Sequence, residues 1–314
     1  MTMNLKENIA LPVRLVGNRL SNEQIVTLLE RGFTSFENVA HATEITELRA
    51  RCERLIFKSA GATEGAFFDF VGDAPLATTG LTQLLMPSNF DPELRRIDYH
   101  KRLSVLAAQI LGPRSRFAGD HLFYKPSVAG PSTPWHQDEA FRDPSFEYRE
   151  VSFWLPLQPA TVDNGCLRFI PGSHLLEVQP HRKLVGKERS HGIECYAGFS
   201  PDDAVSCPIP AGGCTVHLGR TLHGAGPNNT ATARLAYVVI FDMPATIARV
   251  KRTFDWQKQT TSRDEIERDW KQGTGRLVYL YRRLRRRNLV DPYRLYNGIK
   301  RRGWYCLQRL LRSR

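Results

Sequence analysis

The sequence predicts a mainly β fold with a helical N-terminal flank. Up to about residue 112, apolar residues recur at helical spacing between helix caps. From Arg114 onward, short β-branched and aromatic runs alternate with Gly, Pro and Asn, which is typical of antiparallel strands joined by turns. The chain has 314 residues and 41% hydrophobic composition, enough to bury one sizeable core. We therefore expect one antiparallel β-sandwich or barrel with helices packed on it.

Three helices are predicted in the flank. Residues 21–24, Ser-Asn-Glu-Gln, have the pattern of a capping box, and Gly32 is a suitable helix end. A second helix fits residues 43 to about 57. A third fits residues 91–110, before Gly112 and a proline. The first 112 residues are therefore expected to be mainly helical.

Five runs predict the strands of the β core. They are RFAGDHLFYK (116–125), REVSFWLPL (149–157), GCLRFIP (165–171), CTVHL (214–218) and RLAYVVIF (234–241). Between them, the polar stretch 179–204 is longer than an ordinary connection. We expect this stretch to be an irregular lid or binding loop.

The net charge of +12 is concentrated at the C-terminus. Residues 276–314 contain 13 Lys or Arg and one acidic residue, so the rest of the chain has 31 bases and 31 acids. Leu277, Leu280, Tyr281 and Leu284 follow helical spacing among these arginines. A basic amphipathic tail suits an anionic membrane surface first, packing on the barrel or a second subunit next, and nucleic acid least, because no nucleic-acid module accompanies it.

The domain organisation follows from these patterns. We expect a domain at 1–275, made of a helical flank at 1–112 and a β core at 113–245, followed by the tail at 276–314. Six cysteines without a CxxC pair are typical of reduced thiols. With no signal-peptide core and no long apolar run, a cytoplasmic protein is expected, with peripheral membrane contact through the tail. No pattern specifies an oligomeric state.

A metal site is the first chemical hypothesis. His136-Gln137-Asp138 follows a strand-like run, and alternate residues of an extended segment point to the same side. Alone, an HxD motif is weak, but His223 can be named as a third ligand. Two histidines and one carboxylate form a facial triad, which leaves three adjacent positions open on Fe(II). These positions suit a 2-oxo acid and O2.

A cosubstrate anchor follows on the next strand. Arg234 lies eleven residues after His223 and opens the run RLAYVVIF. An arginine fork can bind the far carboxylate of a 2-oxo acid through two charge-assisted hydrogen bonds. The alternative is a solvent-facing arginine at a strand end. His217 is the rival for the distal ligand, although a packing role or a contact with a ligand fits its spacing better.

Six blocks carry a resemblance to a known family, in the same order along the chain. They are Tyr124-Lys125-Pro126, Trp135-His136-Gln137-Asp138, Trp154 in SFWLPL, Asp163-Asn164-Gly165-Cys166-Leu167, Pro171-Gly172-Ser173-His174, and His223 through Asn228 to Arg234. From about residue 20 to 241 they resemble the phytanoyl-CoA hydroxylase-like family of Fe(II)/2-oxoglutarate-dependent dioxygenases. Six ordered blocks are far more specific than any one of them.

The resemblance implies a fold and a ligand set. The fold is a double-stranded β-helix (jelly-roll, cupin-like) core with N-terminal helices packed on it. The implied iron ligands are His136, Asp138 and His223. The implied contacts of 2-oxoglutarate are Arg234, Lys125, Trp154, Gln137 and Thr232. Where the family often has a hydroxyl residue, this chain has Ala225, so Thr230 or Thr232 is expected to replace it.

The resemblance also implies an activity. We expect hydroxylation, desaturation or ring closure at an aliphatic C–H of a small organic substrate, lipid-linked or carrier-linked ones included, with release of succinate and CO2. Halogenating relatives carry a small residue in place of Asp138, so halogenation is disfavoured. The alternative is a non-oxidative metal protein or a silent barrel that acts as a membrane or nucleic-acid adaptor through its tail.

Several other polar and aromatic residues have two interpretations each. His174 and Asn164-Gly165 are expected to be structural. The residues that fit either core or pocket are His121, Phe67, Phe68 and Phe70. The residues that fit either an anion-binding lid or ordinary solvated charge are Arg182, Lys183, Lys187, Arg189 and His191.

Overall fold

The computed structural model describes residues 8–71, 80–128, 130–184 and 192–257. Its α-helices are α1 (Asn22–Arg31), α2 (Ala42–Phe57) and α3 (Asp98–Leu111). Its strands are β1 (Phe33–Phe36), β2 (Phe67–Asp69), β3 (Thr82–Leu85), β4 (Arg116–Lys125), β5 (Thr133–His136), β6 (Phe146–Glu147), β7 (Glu150–Pro156), β8 (Leu167–Phe169), β9 (His181–Lys183), β10 (Ile193–Cys195), β11 (Val205–Cys207), β12 (Cys214–Leu218), β13 (His223–Ala225), β14 (Arg234–Asp242) and β15 (Thr246–Ile247). The basic tail lies outside the described residues.

Two antiparallel sheets form the core. The large sheet has the strand order β1-β12-β7-β14-β4-β3-β2, and the small sheet has the order β11-β8-β13-β5. Two short ladders, β9 with β10 and β6 with β15, lie beside them. This is the double-stranded β-helix that the resemblance implies, so the predicted fold class is confirmed.

The large sheet is buried on both faces. One face packs against the helices through residues such as Phe153, Tyr237 and Leu103. The opposite face packs against the small sheet through residues such as Trp154 and Phe169. Side chains alternate between the faces of a strand, so a strand buried on both sides needs apolar residues almost throughout. This explains why every residue of β7 is buried.

The first two predicted helices are confirmed. The Ser21 hydroxyl accepts a hydrogen bond from the backbone N–H of Gln24 at 3.1 Å, and the Gln24 side chain accepts one from Ser21 at 2.8 Å. Gly32 ends α1 with φ +83°, a conformation that favours glycine. The second helix begins at Ala42 and ends at Phe57, close to the predicted bounds.

The third predicted helix is wrong in its first third. Pro92–Arg95 is a separate 3-10 turn, capped by the Asp91 carboxylate on the backbone of Glu93. The backbone becomes extended at Ile97, and α3 begins only at residue 98. The Asp-Pro pair starts a helical turn of its own. The spacing of apolar residues continues across the break between the two segments, so it does not reveal the break.

The flank is also less helical than predicted, because β1, β2 and β3 lie within it. Each of these strands extends the large sheet: β1 pairs with β12, and β3 pairs with β4. Their partners are distant along the chain, so local patterns did not indicate them. Within the predicted irregular stretch 179–204, β9 and β10 form an antiparallel ladder, while residues 185–191 lie outside the described residues.

The described helices include none that combines the length and the apolar composition needed to cross a membrane.

A buried carboxylate lies on the helix-facing side of β4. Asp120 is fully buried, and it accepts hydrogen bonds from the Tyr237 hydroxyl at 2.7 Å and the Ser88 hydroxyl at 3.0 Å. Burial raises the pKa of Asp120 to about 6, and the hydrogen bonds only partly offset this increase.

Asp120 is expected to make stability depend on pH. An unfolded aspartate titrates near pH ~3.9, so between this value and about 6 the folded protein binds more protons than the unfolded chain. Stability is therefore lost as pH rises through this window. Asp120→Asn removes the effect. The free energy of unfolding of the wild type relative to the variant should fall by about 2 kcal/mol between pH ~4 and ~7 in urea titrations. A constant difference would contradict the assignment.

Candidate metal centre

Strand pairing brings two histidines together. His136 is the last residue of β5, His223 is the first of β13, and the antiparallel register pairs them directly. Their ring centroids are 4.3 Å apart. Asp138 follows two residues after His136, at the start of a 3-10 turn. The three predicted ligands therefore converge at one end of the small sheet.

The ligand atoms have the spacing of a metal site. The Nε2 atoms of His136 and His223 each lie 3.8 Å from Oδ1 of Asp138. One ligand atom from each residue lies within 4.8 Å of the others. Across the described ranges, no other group of His, Cys, Asp or Glu has this arrangement. Both imidazoles are buried.

The protonation states also suit a cation. Nδ1 of His136 lies 2.8 Å from the Pro134 carbonyl, and Nδ1 of His223 lies 2.9 Å from the Thr221 carbonyl. A carbonyl only accepts, so each Nδ1 carries the proton and each Nε2 directs its lone pair toward Asp138. Burial lowers the pKa of both histidines. The neighbouring histidines, His223 foremost, hold the pKa of Asp138 well below its usual value despite burial, which acts in the opposite direction.

The predicted anchor faces the interior of the barrel. Arg234 is 2% exposed, so the solvent-facing alternative is wrong. Its Nη1 donates to the Gly165 carbonyl at 2.7 Å, and its Cζ lies 5.0 Å from the centroid of the Trp154 ring. Burial lowers the pKa of Arg234 to about 10, which leaves the guanidinium charged at neutral pH.

A buried lysine lies beside it. Lys125 is directly opposite Arg234 across β4 and β14, so both side chains are on the same face. The Lys125 side chain donates to the Gly226 carbonyl at 2.6 Å. Burial, reinforced by the charge of Arg234, lowers the pKa of Lys125 to about 6. Among the described residues, neither Lys125 nor Arg234 has a carboxylate partner, so this part of the barrel interior suits an anion.

Unpartnered polar atoms test whether 2-oxoglutarate fits this pocket. Nε of Arg234 and the hydroxyl of Thr215 are buried without a hydrogen-bond partner. Thr215 is opposite Trp154 in the register of β12 with β7, so it faces the same interior. Leaving such atoms unpaired costs ~1–3 kcal/mol each, and a dicarboxylate ligand would satisfy them. The residues present therefore fit the cosubstrate.

Thr215 was missed by sequence reasoning. The signal available was its position two residues before His217 on the same strand, which places both side chains on one face. The predicted replacements for the hydroxyl lost at Ala225 do not reach this pocket. The Thr230 hydroxyl donates to the Asn228 side chain at 2.7 Å, and Thr232 is exposed.

Gln137 is a further correction. Its side-chain amide donates to the Arg220 carbonyl at 2.7 Å, and its side-chain oxygen accepts from the backbone N–H of Gln179 at 2.7 Å. Both ends of the side chain are thus committed to backbone groups. Gln137 ties the start of the 179–204 stretch to the turn that carries Asp138. Neither end of its side chain is left to contact the cosubstrate.

A strap formed by residues 252–257 supports this turn from outside. The Trp256 indole donates to the Ala140 carbonyl at 2.9 Å, and the Gln257 amide donates to the Arg142 carbonyl at 2.7 Å. Arg252 pairs with the buried Glu139 at 2.7 Å. The strap was not predicted, because its partners lie more than 100 residues earlier in the chain.

Of the residues with two interpretations, some have a structural role and others lie beside the metal site. His174 bonds to the Leu29 carbonyl, and Asn164 closes its own loop through Thr161, so both are structural as predicted. Phe67 belongs to the core on the helix side. Phe70 instead lies beside a ligand, with its ring centroid 6.0 Å from that of His136.

The remaining residues of this kind are partly described. His121 lies 3.3 Å from the Gln83 amide, and Phe68 packs beside Phe70. Arg182 pairs with Glu194 at 2.7 Å, which favours an ordinary surface role for this charge. Lys187, Arg189 and His191 lie outside the described residues.

Comparison with known proteins identifies the family. The sequence profile described as phytanoyl-CoA dioxygenase (PhyH) matches residues 28–236. The chain belongs to this family. It is 26% identical over 216 residues to the "Probable alpha-ketoglutarate-dependent hypophosphite dioxygenase" of Stutzerimonas stutzeri, covering 68% of this chain and 75% of that protein. It is 28% identical over 154 residues to the "Phytanoyl-CoA dioxygenase domain-containing protein 1" of Mus musculus, covering 48% and 52%.

A solved structure of a relative carries the cosubstrate. EvdO2 from Micromonospora carbonacea var. aurantiaca, complexed with 2-oxoglutarate, matches with a TM-score of 0.65 and 30% identity, covering 78% of this chain and 99% of that one. The chain is therefore a non-heme iron dioxygenase dependent on 2-oxoglutarate, and its His-Asp-His group fits Fe(II).

Cosubstrate binding is expected to take up a proton at Lys125. With a pKa of about 6, this amine is mostly neutral at pH ~7.5, and an anion beside it favours the charged form. Calorimetry of 2-oxoglutarate binding to Mn(II)-loaded protein, repeated in buffers of different ionisation enthalpy, should show close to one proton taken up. Affinity should fall by up to ~10-fold per pH unit above ~6. Lys125→Met should lack both effects, and equal proton uptake in the variant would refute the assignment.

Proposed function

We propose that the protein oxidises an aliphatic C–H bond of a small organic substrate, by hydroxylation or by a related desaturation or ring closure. Iron is held by His136, Asp138 and His223, and the far carboxylate of 2-oxoglutarate by Arg234. The observation that carries the proposal is that Oδ1 of Asp138 lies 3.8 Å from both imidazole Nε2 atoms. The same barrel interior holds Lys125 and Arg234, which have no carboxylate partner among the described residues, and Nε of Arg234 is buried without a hydrogen-bond partner.

Each residue of the pocket has a physical task. Arg234 offers a rigid fork for the carboxylate, and the Trp154 ring under the guanidinium fixes its plane. Lys125 adds a second positive charge once it takes up a proton beside the bound carboxylate. The buried surroundings exclude water, which strengthens these electrostatic contacts. When bound, Fe(II) with 2-oxoglutarate and O2 supplies the oxidant for the C–H bond, and the cosubstrate leaves as succinate and CO2.

The substrate side of the site is aromatic. The ring of Phe141 lies 5.8 Å from that of His136, and Phe70 lies 6.1 Å from Phe123. The Gln83 amide and His121 add one polar pair to the same face of the large sheet. This wall supports a substrate with an apolar skeleton that presents its C–H bond to the iron and carries a polar group nearby. The carboxylate of Asp138 argues against halogenation.

The iron and cosubstrate assignment has a spectroscopic test. Anaerobic addition of Fe(II) and 2-oxoglutarate should produce a weak metal-to-ligand charge-transfer band in the visible. His136→Ala should abolish the band. His41 is exposed and distant in sequence from the three ligands, so His41→Gln should retain it. A folded, iron-loaded wild type without the band would refute the mechanism. Succinate formation across a panel of candidates, including lipid-linked and carrier-linked ones, then identifies the substrate.

We also propose that residues 276–314, which lie outside the described residues, contact anionic membranes. Support comes from their 13 basic residues and single acid. The full chain should sediment with vesicles that contain phosphatidylserine, and less so in about 0.5 M NaCl, because salt screens the attraction. A chain ended after Thr274 should stay in the supernatant, and neutral vesicles are the control. Equal sedimentation of both chains would contradict the proposal.

A further inference from the structure

The two oxygens of Asp138 have different surroundings. Oδ1 faces the imidazole Nε2 atoms of His136 and His223, at 3.8 Å from each. Oδ2 faces the large sheet instead. There it accepts a hydrogen bond from the Ser152 hydroxyl at 3.0 Å, and it lies 3.3 Å from Nε2 of His217. The carboxylate is thus divided into a metal-facing oxygen and a sheet-facing oxygen.

The two sheet residues are held in place by strand register. Ser152 on β7 and His217 on β12 are directly paired, so their side chains emerge side by side. Both are buried, with 1% and 3% exposure. The ring of His217 packs 4.3 Å from that of His223 and 5.3 Å from that of Phe169. Packing therefore fixes the ring that faces the carboxylate.

The tautomer of His217 follows from its contacts. A carboxylate only accepts hydrogen bonds, so the proton that faces Asp138 must be on Nε2 of the ring. Nδ1 is buried with no hydrogen-bond partner, and an N–H there would be unsatisfied. His217 is therefore an Nε2–H donor to the carboxylate.

We propose that Ser152 and His217 are positioning residues that hold Oδ2 of Asp138 away from the iron. The proposal rests on the metal site proposed above. A carboxylate can bind a divalent cation through one oxygen or through both. Binding through both would occupy one of the three positions that a facial triad leaves for the 2-oxo acid and O2. Two donors on Oδ2 compete with that second bond, so they keep the third position open.

If His217 only fills space, its variants should behave differently from variants of a hydrogen-bond donor. His217→Phe keeps a ring between His223 and Phe169 but removes the donor. His217→Gln removes the ring but can place an amide N–H near the former Nε2. If the hydrogen bond matters, Gln should rescue what Phe loses; if packing matters, the order should be reversed. Val216→Ala is the matched control, because Val216 lies on the same strand but packs toward the helices.

The experiment uses Mn(II) as a spectroscopic substitute for iron, with two measurements. Loss of a partner of a metal ligand typically lowers metal affinity by ~10–100-fold, so Mn(II) affinity should fall at least ~10-fold in His217→Phe and less in Ser152→Ala. The exchangeable waters on bound Mn(II), counted by EPR line broadening in 17O-enriched water, should fall from about three to about two in His217→Phe. His217→Gln and Val216→Ala should retain the wild-type water count.

Failure of this proposal is distinguishable from failure of the metal site. If the wild type binds no Mn(II), or if His136→Ala binds it equally well, the proposed site itself is wrong. If the wild type binds Mn(II) and His217→Phe keeps its affinity and water count, the positioning role is wrong. The role is also wrong if His217→Gln loses as much as His217→Phe. Should His217→Phe not fold, an unchanged Mn(II) affinity in Ser152→Ala would overturn the proposal.

Discussion

The antiparallel pairing of β13 with β5 is the contact on which the rest of the site depends. It sets His223 opposite His136 and leaves the chain to turn immediately afterwards, so that Asp138 meets both rings. A shift of one residue in this register would move His223 to the other face of the sheet. Side chains around the site serve to prevent that shift: Gln137 fastens the turn to two backbone segments, and the strap supports it from outside.

The side chains inside the barrel follow one order, from the metal site to Arg234. Within β12, His217 lies at the metal end and Thr215 toward the arginine, and Ser152 and Trp154 repeat this order on β7. Because alternate residues of a strand share a face, two adjacent strands provide both the contacts of the aspartate and the lining of the proposed cosubstrate pocket. The opposite faces of the same strands carry the apolar residues that pack against the helices. Alternate residues of these strands therefore serve two purposes, packing against the helices on one face and lining the site on the other.

The sequence predicts those residues of the site that lie in motifs with a characteristic spacing. HxD, a distal histidine and an arginine at the start of the next strand could be predicted, because each lies in a short local pattern. The Gln137 side chain contacts backbone groups and Thr232 is exposed, since a polar residue close to a motif need not point into the site. Ser152 was missed because an isolated hydroxyl in a strand has no distinctive spacing, and Thr215 because its spacing from His217 gives a shared face only once the strand itself is established. The strands of the flank were missed because their partners are distant in sequence.

The buried basic residues Lys125 and Arg234 have a consequence for the protein as a whole. They lie on the same face without a neutralising carboxylate among the described residues, so the charge of Arg234 is unbalanced within the barrel. A dianion removes this imbalance only when the barrel is folded, because the unfolded chain has no such pocket. Its binding free energy therefore adds to the stability of the fold by mass action. Resistance to unfolding and to proteolysis is thus expected to rise with the surrounding 2-oxoglutarate concentration.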